Sequence, residues 1–377
     1  MPSIEMGGNF CLSEEQISKY GKTKCSYGDS LLEWKDLLFT HGGRGAIIIA
    51  VQNLGLYNTK VLVPNFSCHS ITDAFHACGC KVEYYKMNAD LTANVDALML
   101  QIDNIRPSIL FTCPLFGFDT LANLRPLYKE IQYKGIKIIE DVTHSILGIK
   151  PYIEADRVVC SLRKWFEIPD GGFVWGLKDL DKEAFYQTTL EHKAIVSNFI
   201  KASKGKLEYF ATKDDSLKSY FLPVFYKNNE LFDDCHQIYR MSAFSYELLM
   251  QANLVANATI RNSNYRYLLQ NINNRLIEVI QTELKEDTAP LYMQVYVKDG
   301  RRADLQKKLM AERLYCPIIW PTPDEVIKSC PIEDIANYNN MLSLVIDQRY
   351  DLEDMERLAK IINHFHYCPK KLPHRFS

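Results

Sequence analysis

The chain has 377 residues, of which 47% are hydrophobic and 24% are charged, so it is long enough for one large globular domain and a smaller one. Its net charge is −2 with no acidic or basic block, which argues against nucleic acid or a membrane surface as a partner. The 11 cysteines have neither paired spacing nor zinc-site spacing with histidine, so no metal is expected. With no signal-like segment in residues 1–10 and no long apolar run, the expected location is the cytoplasm.

The N-terminal part is predicted to be an arm followed by a glycine-rich helix start. Residues 1–30 have weak periodicity and are expected to pack as an arm on the main body, and residues 31–39 are predicted to form a short helix. Residues 40–46, THGGRGA, open an apolar run at 47–56 that continues as a helix. Glycines at a helix start let backbone N–H groups approach a phosphate. The alternative is that these glycines are ordinary turn residues.

Strand-like and helix-like segments then alternate along the chain. Strands are predicted at 60–63, 81–85, 108–112 and 136–139, and helices at 67–78, 95–105 and 124–134. Alternation at this spacing is typical of right-handed βαβ units, which form a parallel sheet with helices on both faces.

The stretch from 138 to 176 carries the candidate chemistry. Asp141 follows the strand at 136–139, and a second apolar run at 158–160 leads into Ser161 and Lys164. An acid and a lysine at two strand ends are expected to share the carboxyl edge of the sheet, where open α/β sheets bind ligands. Pyridoxal phosphate (PLP) needs such a pair: a lysine amine for its Schiff base and a carboxylate against its ring nitrogen. The alternative is that Asp141 caps a helix and Lys164 is a solvated charge.

After Gly176 the pattern changes. Residues 181–201 are predicted to be helical, 204–229 polar and irregular, and 241–284 a long helix broken near 262–264. A smaller α/β unit follows, with strands at 291–297 and 342–346 and helices at 302–313 and 352–364. The domain boundary is expected near Asn253, which gives an N-terminal arm and large domain over 1–252 and a small domain over 253–377.

Eight short motifs occur in an order that resembles a known family. They are GGRGAI at 42–47, VPNFSCHS at 63–70, CPLFG at 113–117, IIEDVTHS at 138–145, SLRKWFEIPDGG at 161–172, YRM at 239–241, RNSNY at 261–265 and LSLVIDQRY at 342–350. From about Gly42 to about Asn363 the chain resembles the DegT/DnrJ/EryC1/StrS sugar aminotransferases. The resemblance implies an aspartate-aminotransferase-like (type I) PLP fold, with a large, mostly parallel sheet domain and a smaller C-terminal α/β domain.

The resemblance also implies the roles of individual residues. Lys164 forms the Schiff base with PLP and carries the proton, and Asp141 pairs with the ring nitrogen. Gly43 and Arg44 offer backbone N–H groups, and Ser161 its hydroxyl, to the phosphate. His144 occupies the place of the family's usual glutamine beside the ring hydroxyl, and Cys68 that of the aromatic residue that stacks on the ring.

Several positions depart from the family pattern. The spacing from Ser161 to Lys164 is shorter than usual. The family also implies a homodimer in which a partner subunit gives an asparagine to the phosphate, and Ile238 stands at that position without a side-chain donor. The usual histidine-bearing loop of the small domain is replaced by residues 315–320, YCPIIW. The lysine itself disfavours the dehydratase branch, which has histidine there.

The expected activity is the transfer of an amino group, from glutamate as donor, to a nucleotide-linked keto-sugar for surface-polysaccharide biosynthesis. Two alternatives stay open: a keto substrate that is not a nucleotide sugar, and a non-catalytic relative that serves as a binding scaffold.

Arg163 is either a solvated charge or a partner of the cofactor phosphate. Trp320 is either a core residue or a platform for a ligand. Asp170 is expected to shape the turn before Gly171, and His69 to cap or pack.

Overall fold

The computed structural model describes residues 3–22, 28, 30–32, 34–148, 154–178, 190–234, 238–285 and 288–366. In these ranges the strands are β1 (Met6–Gly7), β2 (Leu38–Thr40), β3 (Lys60–Pro64), β4 (Lys81–Tyr85), β5 (Ile109–Thr112), β6 (Lys137–Asp141), β7 (Arg157–Ser161), β8 (Gly172–Trp175), β9 (Ile277–Val279), β10 (Met293–Val297), β11 (Leu314–Tyr315) and β12 (Met341–Leu344). No helix among these residues is long and apolar enough to cross a membrane.

The helices of the same ranges follow in chain order. They are α1 (Glu14–Ser18), α2 (Gly43–Leu54), α3 (His69–Ala77), α4 (Val95–Ile105), α5 (Tyr128–Tyr133), α6 (Leu190–Thr212), α7 (Lys218–Asp234), α8 (Ala243–Gln251), α9 (Leu254–Asn271), α10 (Arg302–Ala311), α11 (Asp324–Ser329), α12 (Ala336–Asn340) and α13 (Leu352–Asn363). A short 3₁₀ turn, Leu162–Lys164, follows β7.

A seven-stranded sheet in the order β2-β8-β7-β6-β5-β3-β4 forms the centre of the large domain. The strands from β7 to β4 are parallel to one another, because each is separated from the next along the chain by a helix or a long connection. Their apolar residues are almost wholly buried, as is typical of a parallel sheet covered on both faces. The mostly parallel sheet predicted from the βαβ pattern is confirmed.

The edge of this sheet was not predicted. The short helix expected at 31–39 is wrong, because residues 38–40 form β2, which pairs antiparallel with β8 and matches Leu38 to Val174. Leu37, Leu38 and Phe39 are all buried. Burial of all three apolar side chains at the sheet edge stabilises the fold more than a short helix would, because such a helix buries only one of its sides.

The helices after β8 also differ from the prediction. The segment 204–229, expected to be irregular, lies in α6 and α7 except for a short connection at 213–217, and the two helices pack against each other. Phe221, Phe225 and Phe232 recur at helical spacing and are buried, so a narrow aromatic stripe is enough to dock an otherwise polar helix. Of the helix predicted at 181–201, residues 181–189 lie outside the described residues.

The long helix predicted at 241–284 is interrupted elsewhere than expected. α8 and α9 are separated at Ala252 and Asn253, and the side chain of Asn253 caps α9 by accepting from the N–H of Ala256. The predicted break at 262–264 is wrong, because Asn264 is inside α9 and donates to the carbonyls of Ile346 and Tyr350. Tertiary hydrogen bonds therefore satisfy a residue that by itself disfavours a helix.

The C-terminal part contains a three-stranded antiparallel sheet in the order β12-β10-β9, packed with α10, and α10 in turn contacts α13. An Asp351 capping box begins α13, which buries Met355, Leu358, Ala359 and Ile362 on one face and leaves Leu352 exposed. The N-terminal arm is tied to this part of the chain, since β1 runs parallel to β11 with Met6 opposite Leu314. The division into domains near Asn253 stays a prediction.

Candidate active site

A cavity of about 230 Å³ lies where β5, β6 and β7 end and where α2 and α3 begin. The residues predicted for the site all line it: Gly43, Arg44, Cys68, Asp141, His144, Ser161 and Lys164. Residues that are 121 positions apart in sequence meet here because parallel strands place their carboxyl ends at one edge of the sheet. Ile238 is not among the described residues that line the cavity.

Asp141 ends β6 with its carboxylate buried at the bottom of the cavity wall. The backbone N–H of Thr143 donates to Oδ1 at 2.8 Å, and the hydroxyl of Thr143 donates to the same oxygen. Burial raises the pKa of Asp141, while the two bonds from Thr143 and the charge of Lys164 oppose that rise. A cationic nitrogen placed against this carboxylate would be strongly favoured, since it would stabilise the charged form.

Thr143 is a residue that sequence reasoning missed, although it stands two positions after the acid. Its hydroxyl oxygen accepts the N–H of Ser161 at 2.8 Å, and its carbonyl accepts the indole N–H of Trp165 at 2.6 Å. These bonds join the ends of β6 and β7. The positions of Asp141, Ser161 and the turn that carries Lys164 are therefore coupled through one residue.

Lys164 ends the 3₁₀ turn after β7, and its amine lies 2.9 Å from Nε2 of His144. Burial lowers the pKa of His144 well below its ordinary value, and the charge of Lys164 acts in the same direction. The imidazole is therefore neutral and accepts from the lysine at Nε2, which leaves its proton on Nδ1. Within the described residues this buried Nδ1 has no hydrogen-bond partner.

An aromatic wall holds the His144 ring. Trp320 stacks on it with the ring centroids 5.1 Å apart at 14°, and Phe116 packs beside it at 4.9 Å. The amine of Lys164 lies 5.3 Å from the Trp320 ring centroid. Trp320 is nearly buried, so it is a packed residue that also forms part of the cavity wall.

The opposite side of the cavity is suited to an anion. Helix α2 begins at Gly43, where a Cβ would come within 3.2 Å of Cβ of Ser161, so the backbone and the serine approach closely. The exposed N–H groups and the helix dipole favour a phosphate at this end. The side chain of Arg44 donates to the carbonyl of Phe232 at 3.0 Å and pairs with Asp73 at 3.2 Å.

Cys68 stands immediately before α3 and belongs to a small polar group. The hydroxyl of Ser70 donates to its sulfur at 3.0 Å, and Nδ1 of His69 lies 3.9 Å away. Burial acts to raise the pKa of Cys68, but the contact with His69 and the charge of Lys164 outweigh it and lower the pKa to about 7. A thiol with this pKa is partly ionised at neutral pH.

Behind the cavity, Asp170 forms a buried network. It accepts from Nε2 of His192 at 2.8 Å, from the N–H of Ser242 at 2.8 Å, and from the Ser245 hydroxyl. Asp170 therefore connects α6 and the start of α8 to the turn that follows the lysine, whereas the local role in the turn before Gly171 stays a prediction. His41, whose Nδ1 accepts the N–H of Tyr239 at 3.2 Å, is buried in the cavity wall, and sequence reasoning gave it no role.

No protein-family model and no curated protein sequence matches the chain. Solved structures do. PseC of Helicobacter pylori, an aminotransferase involved in the biosynthesis of pseudoaminic acid, has a TM-score of 0.68 at 12% identity, covering 95% of this chain and 98% of its own. The sugar aminotransferase CalS13 of Micromonospora echinospora has a TM-score of 0.64 at 12% identity, with 96% and 99% covered. NtdA of Bacillus subtilis, solved with the cofactor PMP, has a TM-score of 0.63 at 16% identity, with 95% and 78% covered.

The agreement extends over nearly the whole chain, including both the large sheet and the C-terminal part. The structural neighbours are aminotransferases of the type that the sequence motifs resemble. The predicted architecture is confirmed, and the chain has the aspartate-aminotransferase-like (type I) fold.

Proposed function

We propose that this protein is a PLP-dependent aminotransferase of the DegT/DnrJ/EryC1/StrS type that transfers an amino group to a keto-sugar. The single observation that carries the proposal is that Lys164 and Asp141 face one cavity whose opposite side is the N-terminal end of α2. A nucleophilic amine, a buried carboxylate and an anion site are the three features that PLP requires.

The residues present fit this cofactor. An apolar cavity of about 150 Å³ is enough to hold benzene, so the 230 Å³ found here admits a substituted aromatic ring. Burial raises the pKa of Asp141 because it disfavours the charged carboxylate. A protonated ring nitrogen beside this carboxylate would offset that cost by charge pairing. Gly43, Arg44 and Ser161 stand where the phosphate would lie.

PLP supplies an electron sink that makes a proton on the substrate carbon labile. The chain's own residues provide the rest. Lys164 would carry that proton on its amine between substrate and cofactor, Asp141 would keep the ring nitrogen protonated, and His144 accepts from the lysine amine and fixes its position. Trp320 and Phe116 hold His144 in place and exclude water from this side.

The finer assignment is a nucleotide-linked keto-sugar as amino acceptor, glutamate as donor and a role in surface-polysaccharide biosynthesis, in a cytoplasmic homodimer. It is supported by the sequence resemblance and by neighbours such as CalS13, a sugar aminotransferase. A keto substrate without a nucleotide is the alternative. It is favoured by Cys68, which stands where the resemblance implies an aromatic platform and offers less apolar area to a bound ring.

An absorbance spectrum tests the proposal. Purified protein incubated with PLP should become yellow, and Lys164→Ala should stay colourless, whereas the matched control Lys129→Ala, at an exposed lysine, should behave as wild type. Glutamate should bleach the colour. A nucleotide-linked keto-sugar should restore it, and restoration by simple keto acids alone would favour the alternative substrate. A wild-type protein that takes up no PLP would support the binding-scaffold reading.

A further inference from the structure

Arg163 stands at the junction of two cavities. It lies on the 3₁₀ turn between Ser161 and Lys164 and lines both the 230 Å³ cavity of the candidate active site and an adjoining cavity of about 190 Å³. Lys164 and Asn229 line both as well. The side chain of Arg163 therefore forms part of the wall of both cavities.

Helix α7 holds this guanidinium in place. Its NH2 donates to Oδ1 of Asn229 at 3.0 Å, and its central carbon lies 3.8 Å from the centroid of the Phe232 ring. A guanidinium stacked on an aromatic face has its N–H groups in one plane at its edge, which is the geometry in which arginine meets the oxygens of a phosphate in pairs. Such a fixed orientation lowers the entropic cost of binding an anion.

Phe232 also connects Arg163 to the start of α2. A Cβ on Gly42, the residue before the helix, would lie 3.8 Å from the Phe232 ring, and the carbonyl of Phe232 accepts from Arg44. Arg163 thus approaches, through one aromatic ring, the same helix end at which Ser161 packs on Gly43. The start of α2, Ser161 and Arg163 all line the cavity, so a helix dipole, a hydroxyl and a guanidinium are present together in its wall.

The charge of the cavity wall also favours a phosphate. Its described lining residues include three cationic side chains, Arg44, Arg163 and Lys164, against one carboxylate, Asp141, and the partly ionised thiol of Cys68. Asp73, which lies outside the lining, offsets the charge of Arg44. Positive groups gathered around a partly dehydrated space favour the entry of an anion with more than one negative charge, such as a phosphate monoester.

We propose that Arg163 is a phosphate-binding residue of the cofactor site, oriented by Asn229 and Phe232 of the same chain. This inference rests on the proposed function, since it assigns the residue to the phosphate of PLP. Two other roles would be possible for Arg163: it could be a solvated surface charge, or it could bind a carboxylate of the amino donor. Asn229 acts through Arg163 and is a positioning residue.

The experiment compares PLP with pyridoxal, which has the same ring and aldehyde but no phosphate. Apo protein is titrated with each compound, and the dissociation constants are read from the visible absorbance. Arg163→Gln should weaken PLP binding about 10- to 100-fold and leave pyridoxal binding unchanged. Arg163→Lys keeps the charge but lacks the planar guanidinium, so its affinity for PLP should lie between those of wild type and Arg163→Gln. Asn229→Ala should also weaken PLP binding selectively, but by less than Arg163→Gln. The matched control is Arg266→Gln, which changes an exposed arginine on α9 and should leave PLP binding unchanged.

The outcomes distinguish failure of the phosphate role of Arg163 from failure of the proposed function. Equal weakening of PLP and pyridoxal, or an unchanged PLP affinity in Arg163→Gln, would overturn the phosphate role of Arg163 and leave the proposed function intact. Normal PLP affinity with weakened bleaching by glutamate would assign Arg163 to the donor carboxylate instead. A wild-type protein that binds neither compound would overturn the proposed function and this inference with it. Circular dichroism of each variant shows whether it is folded.

Discussion

The amine of Lys164 and Nε2 of His144 are 2.9 Å apart, so the candidate reactive amine has a neutral hydrogen-bond acceptor at a fixed position. The acceptor is fixed because Trp320 and Phe116 pack on the imidazole ring. Since a hydrogen bond to a charged group contributes on the order of 1.5–3 kcal/mol, this contact is strong enough to orient the lysine.

Replacement of His144 tests this contact. His144→Gln retains an acceptor and should react with PLP within a few-fold of the wild-type rate, whereas His144→Phe fits the aromatic wall but removes the acceptor and should react about 10- to 100-fold more slowly. The measurement is the rate at which the yellow colour develops after PLP is added to apo protein. Equal rates for the two variants would show that the acceptor does not position Lys164.

A second prediction concerns Thr143, whose hydroxyl joins Ser161 to Asp141. Thr143→Val keeps the shape of the side chain but leaves the N–H of Ser161 without its acceptor. The free energy of unfolding, measured by urea denaturation, should fall by roughly 1–3 kcal/mol. Thr143→Ser, which restores the hydroxyl, is the control and should recover most of the loss. A Val variant as stable as wild type would mean that water replaces the lost bond.

Cys68 is expected to be the thiol of the cavity that reacts first with small alkylating reagents. Its pKa is about 7, so the rate of modification by iodoacetamide should rise through neutral pH and level off above it. Cys113 in the same cavity should react far more slowly, because burial raises its pKa. Mass spectrometry of the modified peptides distinguishes the two.

Two variants control this experiment. Cys68→Ser should abolish the fast reaction, and Lys164→Ala should shift its midpoint to higher pH, since Lys164 is one of the groups that lower the pKa of the thiol. PLP bound in the cavity should protect Cys68. Modification at a rate independent of pH between 6 and 8, a window of about one unit on either side of neutrality, would contradict the predicted ionisation.

His41 should make the fold sensitive to acid. Burial lowers its pKa from 6.5 to about 4, and the nearby His192 adds to this effect, whereas Asp170 opposes it. A neutral buried histidine must gain a proton on unfolding below pH 6.5, so its contribution to stability is present above that pH and is lost as the pH falls toward 4. The gap between the two pKa values corresponds to roughly 3 kcal/mol.

The pH dependence can be isolated by subtraction. His41→Asn keeps an acceptor for the N–H of Tyr239 but cannot titrate, so the difference in unfolding free energy between wild type and this variant should shrink between pH 7 and pH 4, which spans both pKa values. A constant difference across this range would mean that His41 titrates with the same pKa in the folded and unfolded states, and would contradict the prediction.

The elements of the large sheet were predictable because their patterns are local. The strands β3, β4, β5 and β6 are short apolar runs between turn residues, and α4 has apolar positions at helical spacing. The edge strand β2 and the helix α7 were missed, since each is stabilised by a distant surface: β2 by pairing with β8, and α7 by aromatic burial against α6. A local pattern contains no information about a surface that the fold has yet to create.

The amino-acid sequence by itself determined that Asp141 and Lys164 would share one edge of a parallel sheet, because strand direction and strand ends are encoded in the order of short segments. Only the tertiary structure decided how Thr143 couples their positions, that Trp320 would close on His144, and that α7 would place Asn229 and Phe232 against Arg163. These contacts join residues far apart in the chain. Their geometry depends on how whole elements pack, which no single segment specifies.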